Sequence, residues 1–353
     1  MNGNIIEIGP AEAAQALPPG FLWMMYEWGI DVIRVIQTGA APALTALMRF
    51  VTALGTETLY VPLILFILWW IDEKRGLRFG VLMILSVWIN IFMKDLLRQP
   101  RPFNLDPSLG MIAVYGYGAP SAHAQLAMTF WIPMAVWLGK VRPKLRTVIW
   151  AAAIFIILLI GFTRLYLGVH FPTDLLVGWI LAGIILFIFF IFGPHIEKLL
   201  AGGDGVNSGG TAGGTRMQNI CAAGIALLMN GLFPQERAIP ALFLGFCLGF
   251  SMMKQRFPFS ARAEINGKKP GAQVMFLRCL TGLASMTIIF MALRLFFPGE
   301  ETLFRDLPNW GADSPFYDIG RFIRYGVLGF WASAGAPRLF QRMGLAQGKD
   351  DDE

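Results

Sequence analysis

Long apolar runs follow one another along this chain, and they restrict its fold more than any other feature. "VIWAAAIFIILLIGF" covers 148–162 and "LLVGWILAGIILFIFFIF" covers 175–192. A bilayer core of about 30 Å takes roughly 20 helical residues to cross. With no water there to satisfy backbone groups, such a run must be helical. Further apolar segments lie near 57–71, 79–97, 124–139, 218–233, 240–253, 274–297 and 319–336. Composition agrees: 56% of residues are hydrophobic and 15% charged, against about 45–50% and about 25% in soluble domains. The expected class is an all-α, polytopic helical membrane protein.

The remaining segments give the organisation. Residues 21–37 carry Glu27, Asp31 and Arg34 and read as an interfacial amphipathic helix. Residues 41–54 are short and interrupted by Arg49, so whether they cross stays open. "LLAGGDGVNSGGTAGGTR" at 199–216 has the composition of a flexible linker. The chain thus divides into 1–56, 57–198, the linker 199–216, and a membrane region 217–353. The first 20 residues lack a basic stretch and an apolar core, so no cleaved leader is expected.

Several function classes drop out. The three cysteines, Cys221, Cys247 and Cys279, sit in apolar segments without CxxC spacing, which indicates neither disulfides nor a cysteine metal site. Three histidines are too few for a histidine-rich cluster. A net charge of +6 would suit nucleic acid, but the basic residues form no aromatic-interleaved surface. They lie in loops: Lys74, Arg75 and Arg78; Lys140, Arg142, Lys144 and Arg146; Lys254, Arg256, Arg262, Lys268 and Lys269; and Arg338, Arg342 and Lys349 on the tail. The expected spans put all four groups on one side, the cytoplasmic side by the positive-inside rule. The acidic loop 298–318 falls on the other.

That orientation leaves an anomaly. Segments 98–123 and 163–173 fall on the non-cytoplasmic side yet hold Arg98, Arg101 and Arg164. Three stretches converge there. "KDLLRQPRP" ends one span, with Lys94 and Arg101 seven residues apart and Pro100 and Pro102 ending the helix. "PSAH", Pro120 to His123, opens the next, where helix-start amides make an anion site. "TRLYLGVHFPTD", 163–174, joins two more. Arg and Lys neutralise phosphoryl oxygens, and Ser121 and the amides at Ala122 add hydrogen bonds. One histidine can attack phosphorus while another protonates the departing oxygen. Asp174, four residues after His170, can fix its tautomer. No carboxylate cluster with metal-ligand spacing accompanies them, so no cofactor or metal is expected. Arg98 and Asp95 read as local charge balance, and His195 as a solvated loop residue. Arg278 and Arg294, in late spans, either pair, snorkel or form a second polar site.

The three stretches resemble the signature motifs KxxxxxxRP, PSGH and SRxxxxxHxxxD of the type 2 phosphatidic acid phosphatase (PAP2) superfamily. The match runs through Lys94, Arg101 and Pro102, then Pro120, Ser121 and His123, then Arg164, His170 and Asp174. Ala122 stands where the family has glycine and Thr163 where it has serine. The resemblance covers roughly 57–193 and implies a PAP2-like helical bundle core, with 57–198 as the catalytic membrane domain. It implies Lys94, Arg101, Ser121, Ala122 and Arg164 as phosphate ligands, His123 as general acid, His170 as nucleophile and Asp174 as its orienting partner. The C-terminal stretch "RFIRYGVLGFWASAGAPRLF" resembles the extra membrane region of some bacterial members and carries no assigned chemistry.

The function so implied is metal-independent hydrolysis of a lipid phosphate or diphosphate through a phosphohistidine, at the non-cytoplasmic face of a bacterial inner membrane. Undecaprenyl diphosphate, phosphatidic acid and phosphatidylglycerol phosphate are the candidate substrates, with membrane lipids as surroundings, no nucleic-acid partner and no oligomeric state indicated. The alternatives are a lipid phosphotransferase and a non-enzymatic lipid-handling or transport protein. Orientation is directly testable in a background without the native cysteines. Ser108→Cys is expected to react with an impermeant thiol reagent in intact spheroplasts, and Pro143→Cys only after lysis. The reverse pattern inverts the topology.

Overall fold

A computed structural model describes residues 20–201 and 212–347, apart from residues 266, 299–301, 305, 308–309 and 312–313. The helices are α1 (Phe21–Gln37), α2 (Pro42–Ala53), α3 (Glu57–Phe66, continued by a π turn Ile67–Ile71) and α4 (Glu73–Leu97). Then follow α5 (Ala122–Val141), α6 (Arg146–Tyr166), α7 (Pro172–Ala201), α8 (Ala212–Leu232), α9 (Ala238–Arg256) and α10 (Ala272–Phe296). The last are α11 (Tyr317–Phe330, continued by a π turn Trp331–Gly335) and α12 (Ala336–Arg342). No strand occurs among the described residues.

Among those residues, five helices have the length and hydropathy to cross a membrane: Glu73–Leu105, Pro143–Tyr166, Pro172–Gly193, Ala238–Arg256 and Ala272–Phe296. A sixth crossing results if Pro42–Ala53 and Glu57–Ile71, bent by 44°, form one broken span. Alone, the 12-residue α2 is about 18 Å long, too short for the core. The molecule is an all-α, polytopic membrane protein. The leader expectation concerns residues outside those described, as do 202–211 of the expected linker, into which α7 and α8 extend from either side. Because α7 continues to Ala201, His195 lies within a helix and not in the loop expected for it.

The chain packs as two compact units, each discontinuous in sequence: Met1–Tyr60 with Ile89–Phe189, and Val61–Trp88 with Phe190–Glu353. In the first, α5 and α6 form the main helix pair around Ala127, Ile157 and Ile160. The antiparallel order brings the end of α4, the start of α5, the end of α6 and the start of α7 to one end. Helix α1 buries Tyr26, Gly29 and Ile33, a single stripe at helical spacing, and Tyr26 and Ile33 join Leu109 and Phe171 in a cluster. Gln37 Nε2 then ties two loops together, donating to the carbonyls of Leu109 and Tyr166, both at 2.9 Å.

The second unit depends on close helix contact. A Cβ at Gly245 would lie 1.9 Å from the carbonyl oxygen of Gly326, and one at Gly329 would lie 2.3 Å from that of Leu242. Only glycine lets α9 and α11 approach so closely, which is the small-residue packing of membrane helices. Around them Trp69, Phe246, Phe259 and Phe340 form the core.

Arg278 is fully buried in this unit. It neither snorkels nor meets a carboxylate among the described residues. Its Nε donates to Leu345 O at 2.8 Å, and its Nη1 to Ala261 O at 2.8 Å and Trp69 O at 3.3 Å. Three separate segments are thus fastened by one guanidinium. Arg278→Met keeps the bulk but strands three acceptors, each worth about 1–3 kcal/mol if left unsatisfied. A clear drop in the melting temperature of the detergent-solubilised protein is the expected outcome; unchanged melting would deny the fastening role.

Candidate active site

All eight residues singled out from the sequence as catalytic or phosphate-binding belong to the first unit. Lys94 occupies the last turn of α4. The helix stops at Leu97 because Arg98 takes a left-handed conformation, φ 48°, with Pro100 just beyond. Arg98 itself pairs with Asp95 at 3.7 Å, as local charge balance requires. Lys94 Nζ donates to the carbonyls of Tyr117 and Gly118, both at 2.8 Å. Arg101, 4% exposed, donates from Nε to Gly116 O at 2.7 Å, from Nη2 to Tyr115 O at 3.2 Å and from Nη1 to Val169 O at 2.9 Å. Four consecutive carbonyls, Tyr115 to Gly118, therefore hold two cations. The loop is itself fixed: Gly118 N–H donates to Gln99 O at 2.8 Å. A Cβ at Gly118 would sit 2.5 Å from Pro100 O and 3.1 Å from Asp174 Oδ2.

Ser121 caps α5, its Oγ accepting from the Ala124 amide at 3.5 Å and its own N–H donating to Asp174 O at 3.0 Å. Ala122 and His123 are the first residues of the helix, where amides have no intrahelical partner. Ala122 takes ordinary helical backbone without positive φ, so alanine is accommodated here without strain. Deeper in, Asn90 Nδ2 donates to Gln125 Oε1 at 2.7 Å and to Pro120 O at 3.4 Å, which pins the entry to α5.

Arg164, 2% exposed, ends α6, while Thr163 Oγ1 turns away to donate to Ile160 O at 2.6 Å. Asp174 lies in the first turn of α7. Its Oδ2 accepts from the Phe171 amide at 3.0 Å and lies 3.1 Å from His170 Nδ1. Opposite, His170 Nε2 lies 3.3 Å from Arg101 Nη1. Burial holds the His170 imidazole well below its usual range, and Arg101, Lys94, Arg164 and His123 all push the same way. A neutral ring that donates from Nδ1 to Asp174 keeps the lone pair on Nε2. Among the described residues no three His, Cys, Asp or Glu side chains group as metal ligands.

Sequence patterning missed several contributors. The carbonyls of 115–118 carry no side-chain signature beyond the glycine alternation of "YGYG". Asn90 and Gln125 were legible only as polar residues inside apolar runs. Thr52, which accepts from Arg164 Nη1 at 2.7 Å, lies far away in sequence.

Comparison with known proteins gives the family. The family model "PAP2 superfamily" matches residues 75–197, and "PAP2 superfamily phosphatase, transmembrane extension" matches 238–348. Phosphatidylglycerophosphatase B of Bacillus subtilis is 30% identical over 165 residues, 45% of this chain and 78% of that protein. An undecaprenyl-diphosphatase of Sulfolobus acidocaldarius is 28% identical over 167 residues, 46% of this chain and 76% of that protein. The crystal structure of a transmembrane PAP2-type phosphatidylglycerolphosphate phosphatase from Bacillus subtilis covers 54% of this chain and 98% of its own, with 22% identity and a TM-score of 0.43. The chain belongs to the PAP2 superfamily. It is a phosphatase of that class, extended by the C-terminal membrane region expected from the sequence.

The clamp on the 115–118 loop can be tested in isolation. Gly118→Ala must displace either Pro100 or the loop that holds Lys94 and Arg101, so kcat/KM for phosphate release is expected to fall at least tenfold, about 1.4 kcal/mol. Wild-type kcat/KM would show that the loop does not set the cations' positions.

Proposed function

We propose that this protein hydrolyses a lipid phosphate or diphosphate without a metal ion, through a phosphohistidine at His170, on the non-cytoplasmic face of a bacterial inner membrane. The observation that carries the reading is the orientation of His170: Nδ1 on Asp174 at 3.1 Å and Nε2 turned to the Arg101 guanidinium. A phosphoryl group bound by Lys94, Arg101, Arg164 and the amides after Ser121 presents phosphorus to that nitrogen. Nε2 attacks, the bond to the leaving oxygen breaks, and His123 protonates that oxygen. His123, now a base, takes a proton from water, which cleaves the phosphorus–nitrogen bond and frees inorganic phosphate. The cations carry the charge stabilisation that a metal ion supplies at other phosphoryl-transfer sites.

The substrate class follows from two supports. The similar proteins named above are a phosphatidylglycerophosphatase and an undecaprenyl-diphosphatase, and mouse sphingosine-1-phosphate phosphatase 2 is 30% identical over 142 residues, 40% of each chain. The catalytic segment, 57–198, is also built from spans, so a substrate's apolar part can stay in the bilayer while its headgroup reaches the site. Phosphatidylglycerol phosphate, phosphatidic acid and undecaprenyl diphosphate remain the panel to test, and the C-terminal region 217–353 is assigned no chemistry.

Phosphate release from that panel is expected to persist in EDTA, to be inhibited by vanadate and to vanish in His170→Ala. His123→Ala is expected to lose about 10²–10⁴-fold on lipid substrates and far less on an activated aryl phosphate, whose leaving group needs no proton. Loss of activity in EDTA with recovery in Mg²⁺, or equal losses on both substrates, would contradict this mechanism.

A further inference from the structure

The end of α2, "TALG" at residues 52–55, lies outside the region matched by the PAP2 family model, yet it touches two residues of the site. Thr52 Oγ1 accepts from Arg164 Nη1 at 2.7 Å. No other hydrogen bond or ion pair holds that guanidinium among the described residues, and its Nε is buried without a partner. Asp174 makes no hydrogen bond or ion pair with it among the described residues, and its Oδ2 accepts from the Phe171 amide and faces His170 Nδ1. A guanidinium has two donor edges. Fixing Nη1 on Thr52 leaves the edge made by Nε and Nη2, which is the fork that takes two oxygens of a phosphate.

Three residues on, a Cβ at Gly55 would lie 2.9 Å from His123 Cδ2 and 2.7 Å from Ile160 Cγ2. No hydrogen bond holds the His123 ring among the described residues. Its ring is oriented by packing, and the bare backbone of Gly55 is one wall of its slot.

We propose that Thr52 and Gly55 are positioning residues of the site: Thr52 turns the free edge of Arg164 toward the bound phosphoryl group, and Gly55 sets the ring of His123. The inference rests on the phosphatase mechanism above and assigns catalytic support to the segment before the family-matched region. Thr52 acts on phosphate affinity, so its signature is in KM and in competitive inhibition. Gly55 acts on leaving-group protonation, so its signature is in the rate.

The test uses the full-length protein in detergent–lipid micelles, with vanadate as the phosphate probe. Wild type and His170→Ala are measured first: phosphate release by one and none by the other establishes the underlying reading, and its failure there is a failure of that reading alone. Thr52→Val, which keeps shape but removes the acceptor, is then expected to weaken vanadate inhibition and raise KM about tenfold with a smaller change in kcat. Thr52→Ser is expected to restore both. In an Arg164→Lys background the effect of Thr52→Val is expected to shrink below twofold, because the residue acts through the guanidinium. Gly55→Ala is expected to slow lipid substrates about tenfold and an activated aryl phosphate less than threefold. Thr52→Ala serves by the same criteria if Thr52→Val does not fold. Unchanged vanadate inhibition in Thr52→Val, or in Thr52→Ala where that stands in for it, failure of serine to rescue, or full additivity with Arg164→Lys overturns the role of Thr52. Equal slowing of both substrates in Gly55→Ala overturns that of Gly55.

Discussion

Uncompensated positive charge in a buried setting is the constraint on which the catalytic unit depends. Lys94, Arg101 and Arg164 are three buried cations set against one carboxylate of the site, Asp174, whose Oδ2 is engaged by His170 and the Phe171 amide. A buried cation without a partner is strongly destabilising. The chain meets that difficulty with neutral acceptors: the carbonyls of Tyr115, Gly116, Tyr117, Gly118 and Val169, and the Thr52 hydroxyl. Carbonyls hold the side chains in place while leaving their charge unneutralised.

Backbone acceptors also explain why so much of the architecture serves one loop. The carbonyls of 115–118 are useful only if the loop is rigid, and rigidity comes from Gly118 wedged between Pro100 and Asp174. Asn90 and Gln125 fix the neighbouring entry to α5, and α1 closes over Leu109 and Phe171. The second unit uses the same device at Arg278, where three carbonyls take the place of a carboxylate.

Legibility in the sequence follows from where the information resides. Apolar runs and loop charges announce a helical membrane protein because the bilayer leaves few alternatives. Lys94, Arg101, Ser121, His123, Arg164, His170 and Asp174 were legible because their chemistry sits in side chains at motif spacing. The carbonyl acceptors were not, since any residue has a carbonyl and only the folded path aims it. Thr52 was hidden for another reason: it is separated from Arg164 by 112 positions and looks like an ordinary helical threonine. His195 misled because it lies just past the apolar run that ends at 193, whereas the helix carries on to Ala201. Nor does a linear hydropathy profile reveal that each compact unit is assembled from two separate stretches of sequence, with Val61–Trp88 belonging to the second.

The central claim is that phosphorus becomes bonded to His170. A radiolabelled aryl phosphate given to His123→Ala is the most direct probe, because the good leaving group permits attack while loss of the base slows release of the intermediate. After an alkaline quench, which preserves phosphohistidine, the account predicts acid-labile label on the peptide that contains His170, and none when His170→Ala is combined with it. Turnover without label on that peptide, or label on a different residue, would contradict it.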